Sequence, residues 1–234
     1  MTEINFVKEL NNLGIVVTEQ MLKQFNRYYE LLIEWNEKIN LTAITEKNDV
    51  YLKHFYDSAT LVKAIDLNNE TSLCDIGTGA GFPGLVLKIM FPNLKVTLID
   101  ALEKRIKFLN IVIKELDLKD IETIHARSEE YGIKNREIYD VVTARAVANL
   151  SVLMEYCVPL VKVGKYFIPM KANISQEINL SQKAIKELEI KQIKKLEFML
   201  PYENSNRTII VYLKEKPTSK KYPRKNAEIK KRPL

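Results

Sequence analysis

The chain has 234 residues, of which 46% are hydrophobic, and its 36 Lys and Arg against 30 Asp and Glu give a formal net charge of +6. This composition is typical of a folded globular protein and excludes a charge-rich disordered chain, a collagen-like repeat and a small disulfide scaffold. The positive excess is local, because residues 214–234 hold nine Lys and Arg but only two Asp and Glu. We therefore expect a near-neutral body followed by a basic, flexible tail over 215–234.

The cellular compartment is indicated by the cysteines and by the hydropathy. Cys74 and Cys157 both lie in apolar runs, where a free thiol behaves as a small hydrophobic side chain. No uncharged apolar run approaches the roughly 18 residues of a membrane span, and the first ten residues carry charges. We expect a cytoplasmic protein with no disulfide, no metal site and no membrane partner.

The first 70 residues are predicted to form a helical region packed on the rest of the chain. Apolar residues recur at helical spacing over 3–13 and 19–38, and Thr18 precedes the second run as a candidate N-cap. A third helix is predicted over 48–65. A polar loop follows, and the pattern then changes.

From residue 71 to 214, predicted strands and helices alternate. The strands are expected at 72–76, 95–100, 121–126, 139–144, 165–170, 189–198 and 207–214. The helices are expected at 84–91, 103–117, 150–160 and 175–187. Alternation of this kind predicts an α/β fold with a mostly parallel sheet, and the absence of a clear helix between the last two strands predicts an antiparallel last strand.

A glycine-rich loop is the strongest local signal. It reads Asp75-Ile-Gly77-Thr-Gly79-Ala-Gly81-Phe82-Pro83-Gly84 and follows the first strand of the alternating region directly. Glycines let the backbone turn tightly and approach a ligand closely. Asp100 ends the next strand, where a carboxylate can accept hydrogen bonds from both hydroxyls of a ribose. The two features together predict a nucleoside-binding site.

Two nucleoside cofactors fit these glycines. Gly79, Gly81 and Gly84 satisfy the dinucleotide pattern GxGxxG, which favours an NAD(P) oxidoreductase. However, the strand leads into Gly77, and in the frame that begins there Phe82 replaces the third glycine. An acidic residue followed by GxGxG resembles motif I of the Rossmann-like class I S-adenosylmethionine-dependent methyltransferases, which implies S-adenosylmethionine as the cofactor.

The end of the fourth strand narrows the chemistry. It reads Thr143-Ala144-Arg145-Ala146, without the Asn/Asp-Pro-Pro-aromatic sequence typical of adenine amino-group methylation. Cys157 lies far along the next helix, which argues against a cytosine-carbon methyltransferase with a cysteine nucleophile. An acceptor with a free lone pair, such as guanine N7, needs no proton removed. Catalysis can then depend on positioning alone, so we expect no catalytic general base.

Several stretches together resemble the small-subunit ribosomal RNA guanine-N7 methyltransferases, the glucose-inhibited division protein B family. They are Trp35-Asn36 with Asn40-Leu41-Thr42, His54 with Asp57-Ser58, the DIGTGAGFPG loop, LIDALEKRIKFL, ARSEEY, and TARAVANL followed by MKA. The resemblance covers residues 35 to 213. It implies a class I methyltransferase fold with an N-terminal helical region, and methylation of a guanine near the decoding centre of 16S rRNA.

The resemblance also implies roles for individual residues. The cofactor would be held by Asp75, Gly77, Gly79, Gly81, Phe82, Asp100, Ser128, Glu129 and Arg145. Asp100 would hold the ribose, and Ser128 with Glu129 would lie beside the adenine, although a solvated helix start is the alternative for this pair. Arg145 would contact the cofactor or the RNA, and a surface salt-bridge partner is the alternative for it.

The expected partner is 16S rRNA or the small ribosomal subunit, and the expected oligomeric state is a monomer. RNA phosphates would be contacted by Arg145, Lys171, Lys220, Lys221, Arg224 and Lys225. A merely solvated terminus is the alternative for the tail residues. The polar cluster Asn36, Asn40 and Thr42 is the part of the N-terminal region that we expect to reach the site. A non-catalytic RNA-binding module remains the rival to an enzyme.

Overall fold

The computed structural model describes residues 1–172, 174–203 and 205–234, and its centre is a seven-stranded sheet of order β3-β2-β1-β4-β5-β7-β6. The strands are β1 (Ser72–Ile76), β2 (Lys95–Asp100), β3 (Ile121–His125), β4 (Tyr139–Arg145), β5 (Val161–Lys171), β6 (Ile190–Met199) and β7 (Asn206–Lys214). Strands β1 to β5 pair in parallel, and β7 runs antiparallel between β5 and β6. The predicted mostly parallel sheet with an antiparallel last strand is confirmed.

Helices cover both faces of this sheet. They are α1 (Glu3–Asn12), α2 (Glu19–Ile39), α3 (Lys47–Val50), α4 (Asp57–Ala59), α5 (Gly84–Met90), α6 (Glu103–Glu115), α7 (Ser128–Lys134), α8 (Leu150–Cys157), α9 (Ser175–Leu180), α10 (Gln182–Glu187) and α11 (Asn226–Lys231). Two of them, α7 and α11, were not predicted, and the helix predicted over 175–187 is divided at Ser181. Within the described residues, none of these helices combines the length and apolarity needed to cross a bilayer.

The helix predicted over 48–65 is a composite. Helix α3, a π-helical segment (Tyr51–Tyr56), α4 and a 3₁₀ turn (Thr60–Lys63) follow one another without a break, and we call this stretch the composite helix (residues 47–63). A π-helical segment rotates the side chains that follow it relative to a regular α-helix, and such segments are frequent at functional sites. This one carries His54, a residue of the resemblance.

The N-terminal helical region packs directly on the glycine loop. Helix α2 begins at its predicted N-cap, where the Thr18 hydroxyl accepts a hydrogen bond from the Met21 amide at 3.1 Å. Its buried face includes Tyr28, whose ring stacks on Phe82 with 5.6 Å between centroids and whose hydroxyl donates to the Ala80 carbonyl. Phe55 of the composite helix stacks on Tyr28 and packs at a tilt against Phe82. Aromatic packing therefore joins residues of the N-terminal region to the loop that follows β1.

The C-terminal tail is packed, so the prediction of a flexible arm is wrong. Tyr222, Ile229 and Leu234 are buried in the core on one face of the sheet. The guanidinium of Arg224 pairs with Glu155 of α8, whose side chain is fully buried. The composition of the tail could not show this, because its few apolar residues are far apart and each one fits a separate position on the body. The boundaries at residues 70 and 214 stay a prediction.

The buried carboxylate of Asp140 holds the start of β4 in place, and its contribution to stability can be measured. Asp140 accepts hydrogen bonds from the amides of Thr71 and Ser72 at 3.0 Å and from Lys162 Nζ at 2.9 Å. Burial opposes ionisation, but these hydrogen bonds outweigh it and hold the Asp140 pKa well below its ordinary value. Since the folded-state pKa is depressed, the stabilisation is complete above about pH 4 and is lost as the pH falls.

Asp140→Asn is therefore expected to lower the free energy of unfolding at pH 7 by about 1.5–3 kcal/mol, the usual worth of hydrogen bonds to a charged group. The difference in the free energy of unfolding between Asp140→Asn and the wild type should decrease steadily as the pH falls below about 4. Urea denaturation at pH 7 and at pH 3 measures both values. The control is Asp117→Asn, because Asp117 is 82% exposed in its pair with Lys119 and should change stability little. Equal effects of the two substitutions would contradict this account of Asp140.

Candidate active site

The glycine loop lies at the carboxyl end of β1 and leads into α5. Asp75, in β1, fastens both halves of the loop, because its Oδ2 accepts hydrogen bonds from Thr78 Oγ1 at 2.6 Å and from the Gly84 amide at 2.8 Å. Close packing explains the glycine at position 84: a Cβ there would lie 2.3 Å from Leu98 Cδ2. The sequence therefore folds this segment into a compact turn directly above the strand.

Three glycines in the loop, Gly77, Gly79 and Gly81, have a positive φ. Gly77 has a φ of +65° and Gly81 a φ of +104°, which belong to the left-handed region that L side chains rarely adopt. A Cβ on Gly81 would also lie 2.6 Å from Tyr28 Oη and 2.4 Å from Leu85 Cδ1. A larger residue would therefore push the N-terminal region away from the loop. The backbone forms the cradle that the glycine spacing predicted.

Asp75 also has a buried oxygen without a partner. Its Oδ1 makes no hydrogen bond among the described residues, although the side chain is fully buried. Burial raises the Asp75 pKa to about 6, and the hydrogen bonds from Thr78 and Gly84 offset only part of that rise. A cationic group with N–H donors would satisfy this oxygen and favour the ionised form. The amino group of a sulfonium amino acid has that chemistry, so the residues present fit S-adenosylmethionine.

Asp100 closes the other side of the same cradle. It ends β2, and its Oδ2 accepts hydrogen bonds from the Gly79 amide at 3.0 Å and from Arg105 at 3.1 Å. The structure thus brings Asp75, the glycine loop and Asp100 together, as the sequence predicted. The sequence analysis did not predict a role for Arg105. Its position in the first turn of the helix that follows Asp100 could have indicated that the two side chains meet.

Ser128 and Glu129 begin helix α7, just after β3. Asp100 faces His125 in the β2–β3 register, so the start of α7 follows the strand next to Asp100. Glu129 is buried and Ser128 is partly exposed. This position is compatible with the predicted contact to an adenine, which stays a prediction, as does the alternative of a solvated helix start.

A second concavity lies beside the cradle, where β4 and β5 end. It has a volume of about 410 Å³, which is within the usual range for ligand sites. It is lined by Lys53, His54, Asp57, Thr60, Arg145, Ala146, Met170, Lys171, Ala172, Arg207, Thr208 and Ile209. We call it the acceptor cavity. Its larger apolar residues, Met170 and Ile209, come from β5 and β7, and most of its charged residues come from the composite helix and the strand ends.

Arg145 is the most constrained side chain of the acceptor cavity. Its NH1 nitrogen donates to the Lys53 carbonyl at 2.9 Å and to Asp57 Oδ2 at 3.1 Å, and its NH2 nitrogen lies 3.2 Å from His54 Nδ1. The guanidinium also lies over the Phe82 ring, 5.2 Å from the centroid. Arg145 therefore lines the acceptor cavity and pairs with Asp57 in the interior rather than on the surface, whereas its contact with the cofactor or the RNA stays a prediction.

Phe82 is placed differently from the expectation. Its ring is only 6% exposed, because Tyr28 and Arg145 pack on it and the His54 ring stacks on it with 4.4 Å between centroids and 14° between planes. This geometry favours a supporting role for Phe82 beneath the acceptor cavity over direct exposure to the cofactor.

The predicted RNA-binding cations are divided between two places. Lys171 lines the acceptor cavity, but its ammonium pairs with Glu177 at 2.5 Å. The tail lies at the other end of β4: it contacts Glu137, just before the strand begins, whereas Arg145 ends the strand at the acceptor cavity. Lys220 and Lys225 are exposed, Lys221 pairs with Glu187 on the surface, and Arg224 pairs with buried Glu155. For Arg224 the geometry favours a structural role over the predicted phosphate contact.

The sequence did not predict that Asp57 and Arg207 of the acceptor cavity form an ion pair. Asp57 is buried between two arginines, since its Oδ1 accepts from Arg207 Nε at 2.9 Å and its Oδ2 from Arg145. Asp57 and Arg207 are 150 residues apart in the chain, and no sequence pattern predicts a contact over such a separation. The expectation that the polar cluster reaches the site stays a prediction: Asn36 accepts hydrogen bonds from the amides of Leu41 and Thr42, and Thr42 Oγ1 lies 2.8 Å from His54 Nε2.

The sheet order, the glycine loop after β1 and the acidic residue that ends β2 define a class I S-adenosylmethionine-dependent methyltransferase. The crystal structure of a SAM-dependent methyltransferase from Aquifex aeolicus has the same fold, with a TM-score of 0.55 at 15% identity over 77% of this chain and 98% of that one. The family model described as GidB, rRNA small subunit methyltransferase G, matches residues 21–209.

Full-length relatives agree with this match. The ribosomal RNA small subunit methyltransferase G of Ligilactobacillus salivarius is 52% identical over the whole of both chains. The protein of the same name from Lysinibacillus sphaericus (strain C3-41) is 49% identical, again over the whole of both chains. This chain therefore belongs to the rRNA small subunit methyltransferase G family. The alternative prediction from the glycines, an NAD(P) oxidoreductase, is wrong.

Proposed function

We propose that this chain transfers a methyl group from S-adenosylmethionine to N7 of a guanine in 16S rRNA, near the decoding centre of the small ribosomal subunit. Membership of the family supports the rRNA substrate. The observation that carries the choice of N7 is the chemistry of the acceptor cavity. Burial and the charge of Arg145 lower the His54 pKa to about 3, and the Asp57 carboxylate is shared by two arginines. Neither group is suited to remove a proton near pH 7.

Guanine N7 needs no such base, because its lone pair is free in the neutral nucleobase. When bound, S-adenosylmethionine supplies an electrophilic methyl group on a sulfonium sulfur. The N7 lone pair forms the new N–C bond while the C–S bond breaks and its electron pair passes to sulfur. The residues of the chain contribute by binding and orientation, for which roughly 7 to 11 kcal/mol is available in favourable systems.

The proposed roles follow the two concavities. Asp75 pairs with the amino group of the cofactor, Asp100 holds its ribose, and Ser128 with Glu129 borders its adenine. Arg145 and Lys171 contact the RNA at the acceptor cavity, which is large enough to admit a nucleobase extruded from its stack. Lys220, Lys221 and Lys225 remain proposed phosphate contacts away from that cavity. We further propose that the protein acts as a cytoplasmic monomer.

The proposal is tested with small-subunit rRNA from cells that lack this enzyme. Incubation with the protein and S-adenosylmethionine, followed by borohydride and aniline treatment, should cleave the RNA at one guanine. Reactions without protein and reactions with rRNA that is already modified are the controls. If the protein binds S-adenosylhomocysteine in calorimetry and yet produces no new cleavage, the N7 assignment is wrong. Binding of RNA without any methyl transfer would favour the non-catalytic module.

A further inference from the structure

His54 connects the N-terminal region to Arg145 through both of its ring nitrogens. Nε2 lies 2.8 Å from Thr42 Oγ1, and Nδ1 lies 3.2 Å from the NH2 nitrogen of Arg145. The ring is fixed flat against Phe82 by stacking. Three elements therefore meet at one imidazole: the segment after α2, the glycine loop and the end of β4.

The partner atoms dictate which ring nitrogen carries the proton. A guanidinium can only donate hydrogen bonds, so Nδ1 must offer its lone pair to Arg145. The proton of the neutral ring then lies on Nε2 and is donated to Thr42 Oγ1, which also accepts from the Ile44 amide at 3.0 Å. A protonated ring would place an N–H at Nδ1 against the N–H of Arg145. Two donors would then face each other, so the contact with Arg145 favours the neutral ring, whereas the Lys53 backbone carbonyl favours the charged one.

Among the charged groups around His54, the positive charge of Arg145 acts in the same direction. Lys53 and Asp57 lie on the composite helix with His54, Arg145 approaches from β4, and Arg207 lies across the acceptor cavity on β7. Burial, reinforced by the positive charge of Arg145, lowers the His54 pKa to about 3. His54 is therefore neutral throughout the range in which the enzyme would work.

We propose that His54 is a positioning residue which, as the neutral Nε2–H tautomer, holds the Arg145 guanidinium in the one orientation that suits methyl transfer. This inference rests on the proposed function. Three of the five guanidinium N–H groups are used by Lys53, Asp57 and His54. Among the described residues, Nε–H and one N–H of NH2 have no partner, and Arg145 lines the acceptor cavity. These two donors are available to oxygen atoms of the RNA.

The reason for such strict positioning lies in the guanine itself. A free arginine typically binds guanine through O6 and N7 together. That contact would occupy the lone pair of N7 and block its methylation. An arginine held from three directions can donate to O6 or to a phosphate and leave N7 unpaired. We therefore expect loss of the His54 acceptor to affect the methyl-transfer step more than either binding step.

Two substitutions separate the acceptor from the ring. His54→Phe keeps an aromatic ring on Phe82 but removes both nitrogens, and His54→Asn provides an acceptor oxygen near the position of Nδ1. We expect His54→Phe to lower kcat at saturating RNA by about 10- to 100-fold, with unchanged affinity for S-adenosylhomocysteine. His54→Asn should retain most of the activity. Wild-type kcat in His54→Phe, or equal losses in the two variants, would overturn the proposal.

A spectroscopic measurement tests the tautomer without relying on activity. The chain has two histidines, so the imidazole nitrogen resonances that are missing from His54→Asn identify His54. The expected result is a neutral Nε2–H ring from pH 5 to pH 8. An Nδ1–H ring, or protonation above pH 6, would overturn the inference even if the RNA is methylated. Should His54→Phe not fold, Thr42→Val removes the contact to Nε2, and a kcat equal to that of the wild type would then count against the proposal.

Discussion

Replacement of Asp75 by Asn is expected to weaken the binding of S-adenosylmethionine and S-adenosylhomocysteine by roughly 30-fold or more. The substitution removes the negative charge next to the unpartnered Oδ1, and loss of one member of a buried charge pair costs about 2 kcal/mol or more. Isothermal titration calorimetry with S-adenosylhomocysteine measures this directly. Asp117→Asn, on the exposed surface, is the control and should bind like the wild type.

The same carboxylate gives the wild type a pH dependence of cofactor binding that the variant should lack. Without a ligand, burial holds the Asp75 pKa at about 6. Below that pH the carboxyl group must lose a proton before it can pair with an ammonium group, so the affinity should fall by up to about tenfold per pH unit. Calorimetry between pH 5 and pH 8 should show this slope in the wild type and its absence in Asp75→Asn. A wild-type affinity that does not change with pH would rule out this role for Asp75.

The stability of the ligand-free protein should show the opposite trend. The folded-state pKa of Asp75 is raised above the ordinary value of 3.8, so its contribution is full below about pH 4 and is lost as the pH rises through about 6. A difference of about two pKa units corresponds to about 3 kcal/mol. Asp75→Asn should therefore gain stability relative to the wild type between pH 4 and pH 8, as measured by urea denaturation. The charge on Asp75 would thus lower the stability of the ligand-free protein while it favours ligand binding.

Arg224→Ala is expected to lower the free energy of unfolding by about 3–5 kcal/mol, because it leaves the Glu155 carboxylate buried without a counter-charge. Glu155 accepts hydrogen bonds from Arg224 Nε at 2.8 Å, from Arg224 NH2 at 2.6 Å and from the Arg224 amide at 2.8 Å. Only the amide remains in the variant. Urea denaturation at pH 7 measures the loss, and Lys225→Ala, a neighbouring exposed residue, should change stability by less than about 0.5 kcal/mol.

A double variant separates charge burial from lost packing. Adding Glu155→Gln to Arg224→Ala removes the unpaired charge, so part of the lost stability should return. RNA affinity at fixed salt concentration supplies the second readout. If Arg224→Ala unfolds like the wild type but binds RNA more weakly, then Arg224 is an RNA contact as first predicted. Deletion of the tail would remove Tyr222 and Ile229 from the core as well, and it would therefore not isolate RNA binding.

The sequence predicted the sheet well, because most strands contain a short apolar run and the glycine or polar segments between the runs are recognisable breaks. It missed helices α7 and α11 for a common reason. Both are short, and neither has the apolar periodicity of a helix that is stable by itself. Helix α7 also packs against the tail before α11 begins: an added Cβ on Gly132 would lie 3.4 Å from Pro223 Cγ.

The cofactor half of the site was predictable and the acceptor half was not. Asp75, the glycines and Asp100 belong to a local pattern, because consecutive β-strands of such a fold bring their carboxyl ends together. The grouping of His54, Asp57 and Arg207 depends on the composite helix meeting β7 in space. Counting charges along the chain drew attention to the tail instead, because a count cannot show that Arg224 already has a buried partner.

Phe82 belongs to both halves of the site. Its amide hydrogen-bonds to the Thr78 carbonyl within the glycine loop, and its ring supports His54 and Arg145 at the acceptor cavity. Phe82 is therefore a common wall between the glycine loop and the acceptor cavity, so we expect a change in it to affect both. Thermodynamic linkage requires that any factor by which the cofactor alters RNA affinity through this wall equals the factor by which RNA alters cofactor affinity.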